Sequence, residues 1–175
     1  MRFLLFLLLF SFSLILSAKE FGSKEDGWTI SLPDDWNTNS LLSALAGKTM
    51  GSGEGAVETK LTAFKGSDLK SSVILNLISF ESEANLQFNV KAVRDALEKE
   101  PEIRIVSQKK IKITNMDAVR IGYVRNSNRF IQYLLVNKGK LWSLLFICPR
   151  EISSKIEKEI GGIAETFRLE QEKPQ

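Results

Sequence analysis

Apolar and polar positions along the chain fall into three patterns, and each predicts a different kind of element. Phe3 to Leu16 is a nearly unbroken apolar run. From Trp28 the period becomes two: Trp28-Thr-Ile-Ser-Leu32 alternates as a strand does, and Pro33-Asp34-Asp35 stops it. Ala56–Phe64 and Val73–Phe80 read as two further strands joined by Lys65-Gly66-Ser67-Asp68. Between them and the first strand, Ser40–Ala46 reads as a short helix capped by Ser40 and ended by Gly47, followed by a loop at Gly51–Gly55. Over Phe88–Glu100 the period lengthens. Val90, Val93 and Leu97 recur at helical spacing among Arg94, Asp95, Glu98 and Lys99, and Pro101 ends the run. Four strand-like runs follow: Ile103–Val106 into Lys109–Thr114, then Ala118–Arg125, Arg129–Val136 and Leu141–Ile147. Ile152, Ile156, Ile160 and Ile163 then mark a closing helix that Gly161-Gly162 is expected to fray. The order of strands, helix, meander and helix predicts an α+β domain on a mainly antiparallel sheet.

Turn lengths decide which residues share a face of the meander. Three-residue turns at 115–117 and 126–128 and a four-residue turn at 137–140 put Val119, Ile121, Tyr123, Ile131, Tyr133, Leu135, Trp142, Leu144 and Phe146 on one apolar face, with Ile111 and Ile113. Burying each such side chain is worth about 1.5–3 kcal/mol, so helices must cover that face. The opposite face then carries Lys110, Lys112 and Arg120 beside Gly122, Gln132 and Ser143, among Val124, Phe130, Leu134, Val136, Leu145 and Ile147. Two readings of it stand: solvated, edge-protecting lysines, or a surface for an acidic partner. The candidate contact residues on the second reading are Lys110, Lys112 and Arg120, with Gln132 and Ser143 alongside.

The leading segment has the layout of a secretory signal peptide: basic Met1-Arg2, an apolar stretch, and small Ser17-Ala18 before polar Lys19-Glu20. Its apolar part spans roughly 21 Å as a helix, short of the roughly 30 Å hydrocarbon core, so cleavage at Ala18-Lys19 is favoured over a retained anchor. Lipidation there would need a cysteine where Lys19 stands. The expected organisation is therefore a leader at 1–18, a loose lead-in at 19–26, one domain at 27–170 and a polar tail at 171–175. The product is expected to be periplasmic or extracellular, with no stable membrane insertion.

Composition narrows the chemistry. The 175 residues include no His and one Cys. Imidazole triads, imidazole metal sites and internal disulfides are thereby excluded. Lys and Arg number 24 against 21 Asp and Glu, too small an excess to imply nucleic-acid binding. Gly47-Lys48-Thr49 lacks the earlier glycine of a phosphate-binding loop, Leu42 standing in its place. Glu25-Asp26 and Asp34-Asp35 lack the alternating spacing of a calcium loop. Cys148 has no histidine to activate it and reads as a buried inert thiol. Trp28, Trp36 and Trp142 read as core residues rather than as a stacking platform. No catalytic, cofactor or metal residues emerge, and the chain reads as non-enzymatic. Three roles stay open: an accessory domain binding another envelope or extracellular macromolecule, a small ligand carrier or carboxylate hydrolase with a pocket between sheet and helix, and a self-associating structural component.

Four stretches resemble the PsbP/DcrB-like superfamily: Trp28-Thr-Ile-Ser-Leu-Pro-Asp-Asp-Trp36, Asp117-Ala-Val-Arg-Ile-Gly-Tyr123, the hairpin Phe130–Phe146 about a Lys-Gly turn, and the closing helix into Thr166-Phe167-Arg168. The resemblance implies an α/β/α sandwich with a central antiparallel sheet. Members of that superfamily include an extrinsic photosystem II subunit, a nuclear transport factor that binds a small GTPase, and bacterial envelope proteins. Most are non-catalytic binding modules. The family's metal-binding positions find no histidine here, and the leader lacks the long Ser/Arg-rich form of a plastid transit peptide, which argues against a photosystem role.

Overall fold

A computed structural model describes residues 18–38, 57–66 and 71–170. The leader up to residue 17, the helix expected at 40–46, the glycine loop at 51–55, the Gly47-Lys48-Thr49 segment and the tail lie outside the described residues. Ten strands and two helices are described, in the order β1 Ala18–Ser23, β2 Trp28–Pro33, β3 Asn37–Thr38, β4 Glu58–Lys65, β5 Val73–Glu81, α1 Leu86–Lys99, β6 Ile103–Ile113, β7 Met116–Arg125, β8 Asn128–Asn137, β9 Lys140–Pro149, α2 Ser153–Glu165 and β10 Arg168–Leu169. Seven strands form a large sheet in the order β3-β4-β5-β9-β8-β7-β6, and β1-β2-β10 form a small one. Every described pairing is antiparallel.

The large sheet is packed on both sides, as expected of an α/β/α sandwich. On one side, α1 covers Val119, Ile121, Tyr123, Leu134, Leu141 and Leu145 with buried Val90 and partly buried Leu86, Val93 and Leu97. On the other, Ile156, Ile160 and Ile163 of α2 meet Ile131, Tyr133, Leu135, Trp142, Leu144 and Phe146. The small sheet shares that second layer, adding Trp28, Ile30, Leu32 and Leu169 to the same core. Residues 19–26, expected as a loose lead-in, instead supply most of β1, and Lys19 pairs with Leu32. Gly161-Gly162 does not fray the last helix, which continues to Glu165.

The three hairpins of the meander are tighter than expected, with two-residue turns at 114–115, 126–127 and 138–139. Lys138 and Gly139 both take positive φ, 50° and 70°, the geometry that matches strand twist in a two-residue loop. At 138–139 the turn shortens by two residues and the register is as expected, Val136 facing Leu141. At 126–127 it shortens by one, so Tyr123 rather than Val124 pairs with Phe130. Strand β7 is therefore inverted. Val119, Ile121 and Tyr123 face α1, while Ala118, Arg120 and Gly122 face α2. The turn at 114–115 introduces a second single-residue slip that restores β6: Ile111 and Ile113 lie with the α2 core as expected.

Candidate functional site

The register decides where the predicted contact residues go. Arg120 faces α2, opposite to Lys110 and Lys112, because Lys110 pairs with Val119 and Lys112 with Asp117. Its side chain is 12% exposed and its Nη2 donates to Glu157 Oε1 on α2. Gln132 and Ser143 do share the α1 side with the two lysines, but they turn to each other: half-buried Gln132 donates from Nε2 to Ser143 Oγ at 2.9 Å, and Ser143 is 1% exposed. Lys110 and Lys112 are exposed, and Lys112 pairs with Asp117 at 2.8 Å. The five residues thus form no single surface. Arg120 leaves the expected surface through the parity of β7, and Ser143 through burial.

Lys110 instead borders a groove of about 480 Å³ between the start of α1 and the β6-β7 hairpin, together with Asn85, Leu86, Gln87, Asp117, Ala118 and Val119. Asn85 caps α1, its side chain accepting from the Phe88 N–H at 2.9 Å. This fixes the helix start against the groove. Phe88, next in sequence to a lining residue, is 65% exposed, the most exposed large apolar side chain described.

A second cleft, on the α2 side, was not foreseen. Three cross-strand rows build it. Arg104, Val124, Arg129 and Cys148 lie side by side; then Ser107, Gly122, Ile131 and Phe146; then Lys109, Arg120, Tyr133 and Leu144. Arg104, Val106, Ser107, Val124, Arg129, Arg150 and Ser153 line a space of about 360 Å³. Glu157 of α2 braces two of these cations, taking Arg120 on one oxygen and Arg129 Nη2 on the other at 3.3 Å. Among the described residues neither Arg104 nor Arg150 has an ion pair. Arg129 Nε and Ser107 Oγ are buried and have no hydrogen-bond partner among the described residues. An orphaned buried donor of this kind costs about 1–3 kcal/mol. Gly122 makes room for the hydroxyl: a Cβ there would lie 2.5 Å from Ser107 Oγ.

A bulge in β6 is what assembles this cleft. Ile105 pairs with Tyr123 and Ser107 with Gly122, leaving Val106 unpaired. The extra residue switches faces, so Ile103 and Ile105 look to α1 while Ile111 and Ile113 look to the α2 core. In a regular strand that kept Val106 in register, Arg104 and Ser107, three positions apart, would lie on opposite sides. No simple sequence signal gives this grouping, since the three arginines come from two strands and the segment after a third.

The other residues singled out from sequence are structural. Trp28, Trp36 and Trp142 are 5%, 2% and 2% exposed, which closes them to a sugar or base. Trp36 Nε1 donates to Glu159 Oε1 at 2.7 Å, and its ring meets Phe146 edge-on. Asp26 and Asp35 are each held by a lysine, Lys60 and Lys65, at 2.8 Å. Cys148 is fully buried, and burial pushes its thiol above its ordinary pKa, with nearby Arg129 opposing. Tyr123, stacked on Phe130, is pushed by burial to about 12. Among the described residues no three His, Cys, Asp or Glu side chains converge as a metal site, and no helix is long and apolar enough to cross a membrane.

No family model matches the sequence, and no curated protein matches it either. The fold has clear counterparts among solved structures. It matches the solution structure of cyanobacterial PsbP (CyanoP) from Synechocystis sp. PCC 6803 with a TM-score of 0.62 at 13% identity, over 89% of this chain and 94% of that one. It matches LpqN of Mycobacterium tuberculosis, a protein involved in cell envelope biogenesis, with a TM-score of 0.57 at 10% identity, over 89% and 91%. A protein of unknown function from Pseudomonas aeruginosa gives 0.53 at 11% identity, over 90% and 99%. The chain therefore shares the fold of the PsbP (CyanoP) and LpqN structures. At these identities the likeness is one of fold.

Proposed function

We propose that this chain is an exported, non-enzymatic accessory domain that binds another macromolecule of the cell envelope, and that it does so at the groove beside α1. The observation that carries the reading is that groove: an exposed aromatic, Phe88, next to a lined depression of about 480 Å³ with Lys110 at its wall and Lys112 beyond. An aromatic anchor beside Lys110 suits a partner that offers an apolar side chain next to an acidic one, Lys112 being already paired with Asp117. The fold shared with LpqN, whose role is in envelope biogenesis, and the secretory layout of residues 1–18 support the envelope setting. Lys110 and Lys112 remain contact residues in this reading. Arg120, Gln132 and Ser143 do not.

The test is capture from envelope extracts with the mature domain, comparing the native chain with Phe88→Ser and Lys110→Glu/Lys112→Glu. A reproducible partner should be lost by about tenfold with Phe88→Ser, the loss expected of an aromatic anchor. Recovery should also fall with salt and with charge reversal. Equal recovery by all three chains would remove the groove from the account, and turnover of an envelope substrate would remove the non-enzymatic reading.

A further inference from the structure

The α2-side cleft has features that a merely solvated basic surface does not need. Arg104, Arg129 and Arg150 line one space of about 360 Å³ with Ser107 and Ser153, and no carboxylate lines it among the described residues. The carboxylate nearest in the ion-pair network, Glu157, is already divided between Arg120 and Arg129. That leaves Arg104 and Arg150, two full positive charges, without an ion pair among the described residues. Two donors on the lining, Arg129 Nε and Ser107 Oγ, are buried without a partner. Gly122 keeps a Cβ out of the space that the Ser107 hydroxyl uses. The cleft also lies beside the start of α2, whose first turn holds no acidic residue and has no side-chain cap.

We propose that this cleft binds a terminal, dianionic phosphate group. Guanidinium forks match the spacing of phosphate oxygens, and several of them around one group favour a tetrahedral oxyanion over a lone carboxylate, which has too few acceptor oxygens for this donor set. A phosphate monoester carries close to two negative charges at neutral pH, equal to the two uncompensated arginines. Bound there, it would accept from Arg104 and Arg150, and from Arg129 Nε and Ser107 Oγ once those enclosed atoms turn toward it. The group could belong to free phosphate or to a lipid headgroup bearing a phosphate monoester, and the chemistry of recognition is the same. This goes beyond the accessory reading, since the cleft lies on the opposite side of the sheet from Lys110 and Phe88.

The experiment uses the mature chain, followed by arginine Nε–H resonances and thermal unfolding, with inorganic phosphate as probe. Saturable shifts that include Arg129 Nε–H are expected, with a rise in unfolding temperature that acetate at equal ionic strength does not give. Arg104→Gln and Arg150→Gln should each weaken binding about tenfold, and Gly122→Ala, which displaces the Ser107 hydroxyl, about threefold. Both arginines are exposed and unpaired, so these variants should stay folded. Arg125→Gln, outside the cleft and paired with Glu102, and Lys110→Glu should bind as the native chain does. Vesicles of phosphatidylcholine with phosphatidic acid, or with phosphatidylglycerol as the diester control, separate the sources. Retention on phosphatidic acid alone would assign a lipid monoester; saturation by free phosphate without retention would assign the soluble ion. Shifts that never saturate, an equal response to acetate, or undiminished binding by Arg104→Gln/Arg150→Gln would overturn the site.

Discussion

Lys60 has a side chain only 3% exposed and lies 2.8 Å from Asp26 in the β1–β2 turn, with Glu58 as its second partner. The hydrogen bond from Lys60 holds Asp26 below its ordinary pKa, against the pull of burial. For Lys60, burial pulls the ammonium down, but the hydrogen bonds to Asp26 and Glu58 prevail and raise it. The signs follow. Asp26 stabilises the fold above its unfolded pKa of about 4, and that contribution disappears as pH falls through its lower folded value. Lys60 stabilises the fold below its unfolded pKa of about 10, and its share is lost as pH rises through the raised value. Lys60→Met should cost about 1–3 kcal/mol near neutrality, because two carboxylates lose their cation. In urea unfolding the gap between variant and native chain should begin to narrow below about pH 4, where Asp26 of the unfolded chain takes up its proton, and close only below the lower folded value. A gap unchanged down to about pH 3 would mean that Lys60 acts through packing alone.

At the scale of the element, the β6 bulge makes a prediction that runs against the usual view of strand deletions. Val106 is the extra residue and is 43% exposed. Removing it leaves Ile105 opposite Tyr123 and Ser107 opposite Gly122, so no side chain changes face. The deletion should fold with its near-ultraviolet spectrum intact and stability within about 1 kcal/mol of native. Loss of more than about 3 kcal/mol would show the bulge to be structurally required. The same strand explains what sequence patterning could and could not give. The elements were legible because their periods are strong: Ile156, Ile160 and Ile163 on α2, or Trp28, Ile30 and Leu32 on β2. Face assignment depended on turn length, and Thr114 and Asn126 adopt positive φ with no glycine to announce a two-residue turn. One slip at each turn cancelled for Ile111 and Ile113 and inverted β7 alone, which is why Arg120 was placed on the wrong side. The neighbours of β5 and the small sheet were illegible for another reason. The β5–β9 pairing and the two-residue β10 rest on long-range partners that leave no local period. The groove residue Lys110 could be nominated from charge, whereas the arginine cleft needed the bulge.

Across the whole molecule, a single sheet separates two interiors of unequal depth. The side shared by α2 and the small sheet holds Trp36, Phe146 and Phe167, all essentially inaccessible, whereas of α1's own residues only Asn89 and Val90 are buried. Arg168 and Thr166 tie the deeper side together at its end, with the Ser31 N–H donating to Thr166 Oγ1 at 2.9 Å and Arg168 Nη1 to Thr114 Oγ1 at 2.7 Å. Both proposed contact regions lie around the β6–β7 end of this frame, one on each side, so either could be occupied without displacing the other. Cys148 is fully buried near the end of the central strand β9, in the seam between the sheet and α2. As the chain's one sulfur nucleophile, it is a built-in stopwatch. A disulfide reagent added to the intact protein has to wait until the seam parts, so labelling should keep pace with global unfolding and speed up with urea in step with it. Prompt labelling in water would mean that the seam parts locally while the rest stays closed. In an oxidising compartment the same enclosure spares the molecule from being welded to its neighbours.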